Sequence, residues 1–199
     1  MQITDKSNFS RDYISRLTTV LAEFDHSSFS LIVQMLLGAY HEGRQIFVAG
    51  NGGSASTASH FACDLNKGVS YGLEKRFRMI SLSDCVPSVL AYANDVSYDS
   101  VFVEQLKNFY MPGDLVIGIS GSGNSENVLR CIKYANENDG HSIGLCGFGG
   151  GKLSGMVEVA LVARVNDMQK VEDIHMIIVH MLMQVLYVEL HGEHPGKAC

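Results

Sequence analysis

The chain has no tryptophan, only three prolines, and charged residues at 18% of its 199 positions. It contains no run of 18 apolar residues, so no membrane-spanning helix is expected. Residues 1–12 are polar and lack the apolar centre of a signal peptide. A basic excess of the kind that holds nucleic acid is also missing. Against 15 Lys and Arg stand 21 Asp and Glu, a net charge of −6, which leaves room only for a local basic pocket. The five cysteines, Cys63, Cys85, Cys131, Cys146 and Cys199, are odd in number and include no CxxC pair, which argues against a zinc knot or a disulfide scaffold. The first four read as small buried hydrophobes and Cys199 as an exposed tail thiol. Together these absences lead to the expectation of a cytoplasmic protein with neither a nucleic-acid nor a membrane partner. No Pro-rich or Ser-rich linker and no repeat of fixed period breaks the chain, so one domain over residues 1–199 is expected.

Glycine is what the chain has in supply, and it is clustered. Twelve of the 20 glycines fall at 50–53, 118–123 and 144–155. Clustered glycine beside apolar runs points to tight strand-to-helix turns where backbone approaches a ligand. Helical spacing of Ile14, Leu17, Val20, Leu21 and Phe24, then of Leu31, Ile32, Met35, Leu36 and Tyr40, predicts two helices within 8–43, parted at 25–28 and ended by Gly43. Apolar runs at 45–49, 78–82, 115–119, 142–145 and 157–165 read as strands. Helices are expected at 55–65, 87–93, 101–109 and 126–137, with a loop at 67–76 and a break at Asn94-Asp95. A long helix at 167–190 precedes a polar tail. This alternation predicts an α/β fold: N-terminal helices, a sheet core over 45–165 that is parallel and covered on both faces, and the C-terminal helix.

Two of the glycine turns share one plan: an apolar strand, glycines with hydroxyl residues, then a helix start. A helix N-terminus offers free N–H donors and a partial positive charge, so it favours phosphate. Ser120, Ser122 and Ser125 add hydroxyl donors, an arrangement that suits an acidic chain because it needs few lysines. The simpler reading is that the glycines permit tight turns and the serines cap helices. Other motifs do not fit. Gly50-Asn51-Gly52-Gly53-Ser54 is not GxGxxG, no Walker A loop is present, and Gly118 to Ser122 ends in serine where GxSxG needs glycine.

Gly50-Asn51-Gly52-Gly53-Ser54 through His60-Phe61-Ala62, Asn94-Asp95, Gly118-Ile119-Ser120-Gly121-Ser122-Gly123-Asn124-Ser125, Gly149-Gly150-Gly151-Lys152, and Glu172-Asp173-Ile174-His175 on to His180 together resemble a SIS (sugar isomerase) domain. More narrowly they resemble the phosphoheptose isomerases, which convert sedoheptulose 7-phosphate to D-glycero-manno-heptose 7-phosphate. The resemblance runs from about residue 10 to 190. The paired glycine–serine turns mark the class, and the His60 helix with His180 narrows it. It implies a three-layer, doubly wound parallel sheet of flavodoxin type and a homotetramer with substrate pockets at subunit contacts. It implies that Asn51, Gly52 and Gly53, with Ser54, touch a phosphorylated sugar, as do Asn94 and Asp95, and that Ser120, Gly121, Ser122 and Ser125 take the phosphate. The metal and acid–base set it implies falls on His60, Asp64, Glu172 and His180, with zinc as the metal. Asp64 stands where the family has Glu, and Glu172 where it has Gln; Gln169 can supply the missing amide.

His60 and Asp64 are i and i+4 on one helix face, about 6 Å apart along the axis. Glu172 and His180 are about 12 Å apart on one straight helix and about 80° around it. They hardly reach one ion together, so either the helix is irregular near Glu172 or one of the two serves a neighbouring subunit. His175 reads as a packing or second-site histidine. Isomerisation of a ketose needs a base beside the carbonyl and an acid or electrophile at the enediol oxygen. Asp64, with Glu172, reads as the base and His180 as the acid or as a base at the second carbon. The alternatives are a non-catalytic SIS module that binds a sugar phosphate or a protein, as the DnaA-binding branch of the family does, and an isomerase for another phosphosugar.

Overall fold

The five apolar runs become the strands of one sheet. The computed structural model describes residues 6–192; the tail from 193 on, Cys199 included, lies outside the described residues. β1 (Gln45–Gly50), β2 (Arg78–Ser81), β3 (Leu115–Ser120), β4 (His141–Gly147) and β5 (Val159–Ala163) pair in parallel in the order β2-β1-β3-β4-β5. β1 and β3 run side by side in register, Ile46 opposite Leu115 and Val48 opposite Ile117.

Alternation along the strands divides the core in two. Ile46 and Val48 face one layer and Phe47 and Ala49 the other, all fully buried. The first layer holds α2 (His26–Glu42), α3 (Gly53–Cys63) and α7 (Met168–His191), with α1 (Lys6–Leu21) outside them through Leu17, Val20 and Leu21. The second holds α5 (Val103–Lys107) and α6 (Glu126–Glu137), with Val89, Tyr92 and Ala93 of α4 (Val86–Asp95) partly buried against it. The expected three-layer parallel α/β architecture is therefore present. Gly43 ends α2 as expected, but of the separator expected at 25–28 only Asp25 lies outside it; 26–28 form its first turn. Asp25 accepts from Ser27 N and Ser28 N at 3.1 and 2.9 Å, and Gly43 closes the helix at φ 71°.

Several elements depart from the pattern read in the sequence. The stretch expected as loop from 67 begins instead inside a π-helical turn, Asp64–Val69, that continues α3. Its apolar residues Leu65 and Val69 are buried, and Ser70 N reaches back to Leu65 O at 3.1 Å, so burial outweighs the glycine and lysine between them. The helix expected to break at Asn94-Asp95 does end there, but the pair is its last two residues rather than the break, with Asn94 Nδ2 donating to Asp95 Oδ1 at 2.7 Å. The helix expected at 101–109 shrinks to α5, and β5 is shorter than 157–165. Cys131 and Cys146 are buried, but Cys63 and Cys85 are exposed, at the end of α3 and the start of α4.

α7 has 24 residues, and its most apolar 18-residue window, with mean hydropathy 1.4, would be long and apolar enough to cross a bilayer. Half of that window is buried inside the protein. Val171, Ile174, Ile178, Val179, Leu182 and Leu186 spend its apolar character on the sheet. His175 lies among them with no exposed surface, its Nε2 donating to Cys146 O at 2.9 Å and its Nδ1 without a partner among the described residues. It therefore packs rather than serving a second site. Burial pushes its pKa below the ordinary 6.5, because a buried imidazolium loses its water. The folded state thus resists a proton that the unfolded chain accepts. The stabilisation is complete above pH 6.5 and is lost as pH falls below it. The urea midpoint is expected to decline on acidification below that point. In His175→Gln, which keeps a donor for Cys146 O, the decline is expected to be shallower; an identical acid limb would remove His175 as its source.

Candidate active site

Winding reverses between β1 and β3, since β2 lies on one side of that pair and β4 on the other. In open α/β sheets ligands settle at the C-terminal ends of such strands. A cleft opens there, lined by Asn51, Gly52, Gly53 and Ser54 after β1, by Ile119 to Ser122 and Ser125 after β3, and by Met168 and Glu172 of α7. Eight of the eleven substrate-binding residues expected from sequence line it: Asn51, Gly52, Gly53, Ser54, Ser120, Gly121, Ser122 and Ser125, the last of which is the N-cap of α6. Ser120 Oγ and Ser125 Oγ are 3.0 Å apart, and Ser122 Oγ accepts from Asn124 N at 3.2 Å. Three hydroxyls and the N-terminus of α6 thus border one cleft, a donor arrangement suited to phosphate.

The glycines have a second reason for being there. α7 lies directly over both turns. A Cβ on Gly53 would sit 2.4 Å from Glu172 Oε1, and one on Gly121 would sit 2.5 Å from Met168 Sδ. Bare backbone at these positions lets α7 close onto the cleft as well as letting a ligand approach it. The start of α7 is pinned in turn. Its N-cap Asp167 accepts from the ammonium of Lys170, which is 3% exposed and lies 3.7 Å from the Tyr13 ring centroid. That bond holds the Asp167 carboxyl below its ordinary range.

The third glycine cluster, for which spacing offered no chemistry, braces the turn after β3. Gly147 N donates to Gly121 O, Leu153 N to Gly123 O, both at 2.9 Å, and Lys152 N to Asn124 Oδ1 at 3.1 Å. Asn51 is held from α6: its amide pairs head to head with that of Asn127, at 2.8 and 3.0 Å, and Tyr98 Oη donates to Asn51 Oδ1 at 2.8 Å. Sequence reasoning missed Asn127 and Tyr98. The available signal was a polar residue within the apolar period of α6, between Ser125 and Val128.

α3 and α7 lead away from the cleft side by side. Glu172 meets α3 at Gly53, and about two turns further on His180 meets it at His60. There His60 Nε2 lies 3.0 Å from His180 Nε2 and 3.2 Å from Asp64 Oδ2. All three ligand atoms fall within 4.8 Å of one another. One proton on His60 Nε2 cannot serve both partners, whereas a cation would satisfy all three; two imidazoles and a carboxylate suit a divalent metal such as zinc. Asp64 opens the π-helical turn.

The expected set of four is therefore divided within this chain: His60, Asp64 and His180 converge, and Glu172 faces the glycine cleft. α7 runs unbroken from Met168 to His191, so no irregularity near Glu172 brings it to the histidines. Gln169 is exposed on the first turn of α7, and Asn94 and Asp95 are exposed at the end of α4; none of the three lines the cleft.

Comparison with known proteins identifies the family. Residues 9–147, which include both glycine turns, match the model of the SIS domain. The chain is 36% identical over 159 residues to the phosphoheptose isomerase of Helicobacter hepaticus, covering 78% of this chain and 79% of that one. It is 38% identical over 149 residues to the phosphoheptose isomerase of Aliarcobacter butzleri, covering 74% and 78%. The solved phosphoheptose isomerase of Neisseria gonorrhoeae superposes with a TM-score of 0.84 at 26% identity, over 92% of this chain and 98% of that one. With the domain match running through both turns and these relatives matched over about three quarters of their length, the chain belongs to the SIS-domain family, among the phosphoheptose isomerases.

Proposed function

We propose that this chain isomerises sedoheptulose 7-phosphate to D-glycero-manno-heptose 7-phosphate. The observation that carries the proposal is the pairing, on α3 and α7, of a phosphate-type cleft with a converging His60–Asp64–His180 group. Ser120, Gly121, Ser122 and Ser125 bind the phosphate and fix the far end of the sugar. Asn51, Gly52, Gly53 and Ser54 form the wall along the sugar. A carboxylate, Asp64 or the cleft-facing Glu172, removes the proton at C1 of the ketose. His180 donates a proton to the C2 carbonyl oxygen as the enediol forms; the carboxylate then returns its proton to C2 while His180 takes back the proton of the C1 hydroxyl, which leaves the C1 aldehyde.

His60, Asp64 and His180 would hold a zinc ion, and a bound zinc would supply polarisation of the substrate carbonyl in place of a proton from His180; with Asp64 engaged as a ligand, the carboxylate left free as base is that of Glu172. Glu172 stands away from that group in one chain, and Asn94 and Asp95 stand outside its cleft. Both features support a homotetramer with pockets completed at subunit contacts. So does α4, which has no buried residue and exposes Val86 and Leu90. A charged phosphosugar is retained within the cell, which supports a cytoplasmic enzyme.

The test is conversion of sedoheptulose 7-phosphate followed by NMR, with and without a chelator. Aldose product is expected, with the rate falling at least about tenfold on chelation and returning with zinc, since a ligated metal contributes several kcal/mol to such a transition state. Absence of product under every condition would sink the isomerase reading in favour of a binding module. A panel of other ketose phosphates in the same assay reads the sugar preference.

A further inference from the structure

Asn51 lines the cleft, yet most of its hydrogen-bonding capacity is used inside the protein. Its Oδ1 accepts twice, from Asn127 Nδ2 at 3.0 Å and from Tyr98 Oη at 2.8 Å. Its Nδ2 donates once, to Asn127 Oδ1 at 2.8 Å. A carboxamide has two lone pairs on oxygen and two N–H groups, so one N–H remains and no acceptor. The orientation is fixed. Val128 N donates to Asn127 Oδ1 at 3.0 Å, which settles which way the Asn127 amide faces and therefore which way Asn51 faces. Asn127 is 2% exposed and cannot turn out to solvent.

We infer that Asn127 and Tyr98 are positioning residues that present Asn51 to the sugar as a single N–H donor. The substrate atom that meets this side chain is then an oxygen acting as acceptor, a carbonyl or a hydroxyl oxygen, and an amine or ammonium in that place is rejected. This rests on the phosphosugar reading of the cleft and deepens it. The Asn51–Asn127 pair also sets the spacing between the two walls, because Asn51 follows β1 and Asn127 sits in the first turn of α6 beside the phosphate serines. The phosphate turn has its own support from Gly147, Lys152 and Leu153. Loss of the amide pair should therefore loosen the grip on the sugar and spare the grip on phosphate. Purely structural damage would weaken both.

The test measures calorimetric affinities of the full chain for sedoheptulose 7-phosphate and for inorganic phosphate in Asn127→Leu and Tyr98→Phe. In Asn127→Leu, Val128 N keeps its bond to Ser125 O at 3.0 Å. Tyr98 is 56% exposed, so Tyr98→Phe is expected to fold as the parent does even if the Asn127 variant does not. Asn127→Leu is expected to bind the sugar phosphate about tenfold more weakly, with the affinity for inorganic phosphate within about twofold of the parent. Tyr98→Phe is expected to move the same way by about threefold. An unchanged sugar-phosphate affinity in Tyr98→Phe and in any folded Asn127→Leu, or a parallel loss for both ligands, overturns the inference. Turnover by the parent chain separates the two levels. A parent that binds the sugar phosphate without converting it fails the isomerase reading, while the affinity comparison still decides the roles of Asn127 and Tyr98.

Discussion

Replacing His180 by alanine is expected to lower kcat for sedoheptulose 7-phosphate by at least about a hundredfold, the low end of what a positioned proton-transfer group contributes. The imidazole is exposed and its only described hydrogen-bond partner is His60, at 3.0 Å, so truncation should cost little stability. Ser120, Ser122 and Ser125 share the cleft with Met168 and Glu172, about two turns of α7 before His180. The affinity for the sugar phosphate is therefore expected to survive within a few-fold. The same substitution removes one of three converging ligand atoms, so zinc affinity should fall with it. Measured kcat by NMR, sugar-phosphate affinity by calorimetry and the urea midpoint separate the contributions. Full turnover in the variant would take His180 out of the chemistry.

The second large effect is expected at a residue with no chemistry of its own. Gly123 sits at φ +65°, and a Cβ there would lie 2.0 Å from Gly150 O and 2.9 Å from the Gly151 Cα. Both obstacles are backbone and cannot rotate away. Left-handed backbone costs an L-residue about 1–2 kcal/mol, and displacing the brace adds to it. Gly123→Ala is thus expected to destabilise the fold by about 3 kcal/mol, read from urea unfolding. Moving the loop at Gly150 and Gly151 also strains the bond from Leu153 N to Gly123 O, so phosphate affinity should fall at least about tenfold. Gly155→Ala is the control: nothing lies within 4 Å of its Cβ, and its φ is not positive. A Gly123 variant no less stable than that control would show that the third glycine cluster does not support the turn after β3.

Much of this site is legible in the sequence because its pieces are local. In each, an apolar strand, glycines with serines and a helix start lie within ten residues of one another, so the turns after β1 and β3 read directly. His60 and Asp64 share a helix face by spacing alone, and their contact at 3.2 Å follows from it. The segment 64–69 was less legible, because Gly68 and Lys67 argue for a loop, and only burial of Leu65 and Val69 under α7 carries the helix through.

The sequence by itself determined the order of elements, the parallel class of the sheet, the two phosphate-type turns and the residue types of an acid–base group. Each of these depends on neighbours within a turn or two, or on the period of apolar residues. The tertiary structure alone decided how α7 lies across the sheet. Its path along α3 brings His180 to His60 over a separation of 120 residues, leaves Glu172 at Gly53, and turns His175 into the core. It also decided that the third glycine cluster supports the second, and that Asn127 and Tyr98 hold Asn51. Those are contacts between segments distant in the chain. They are set by which surfaces can close on one another without a Cβ between them, and no local period in the sequence records that.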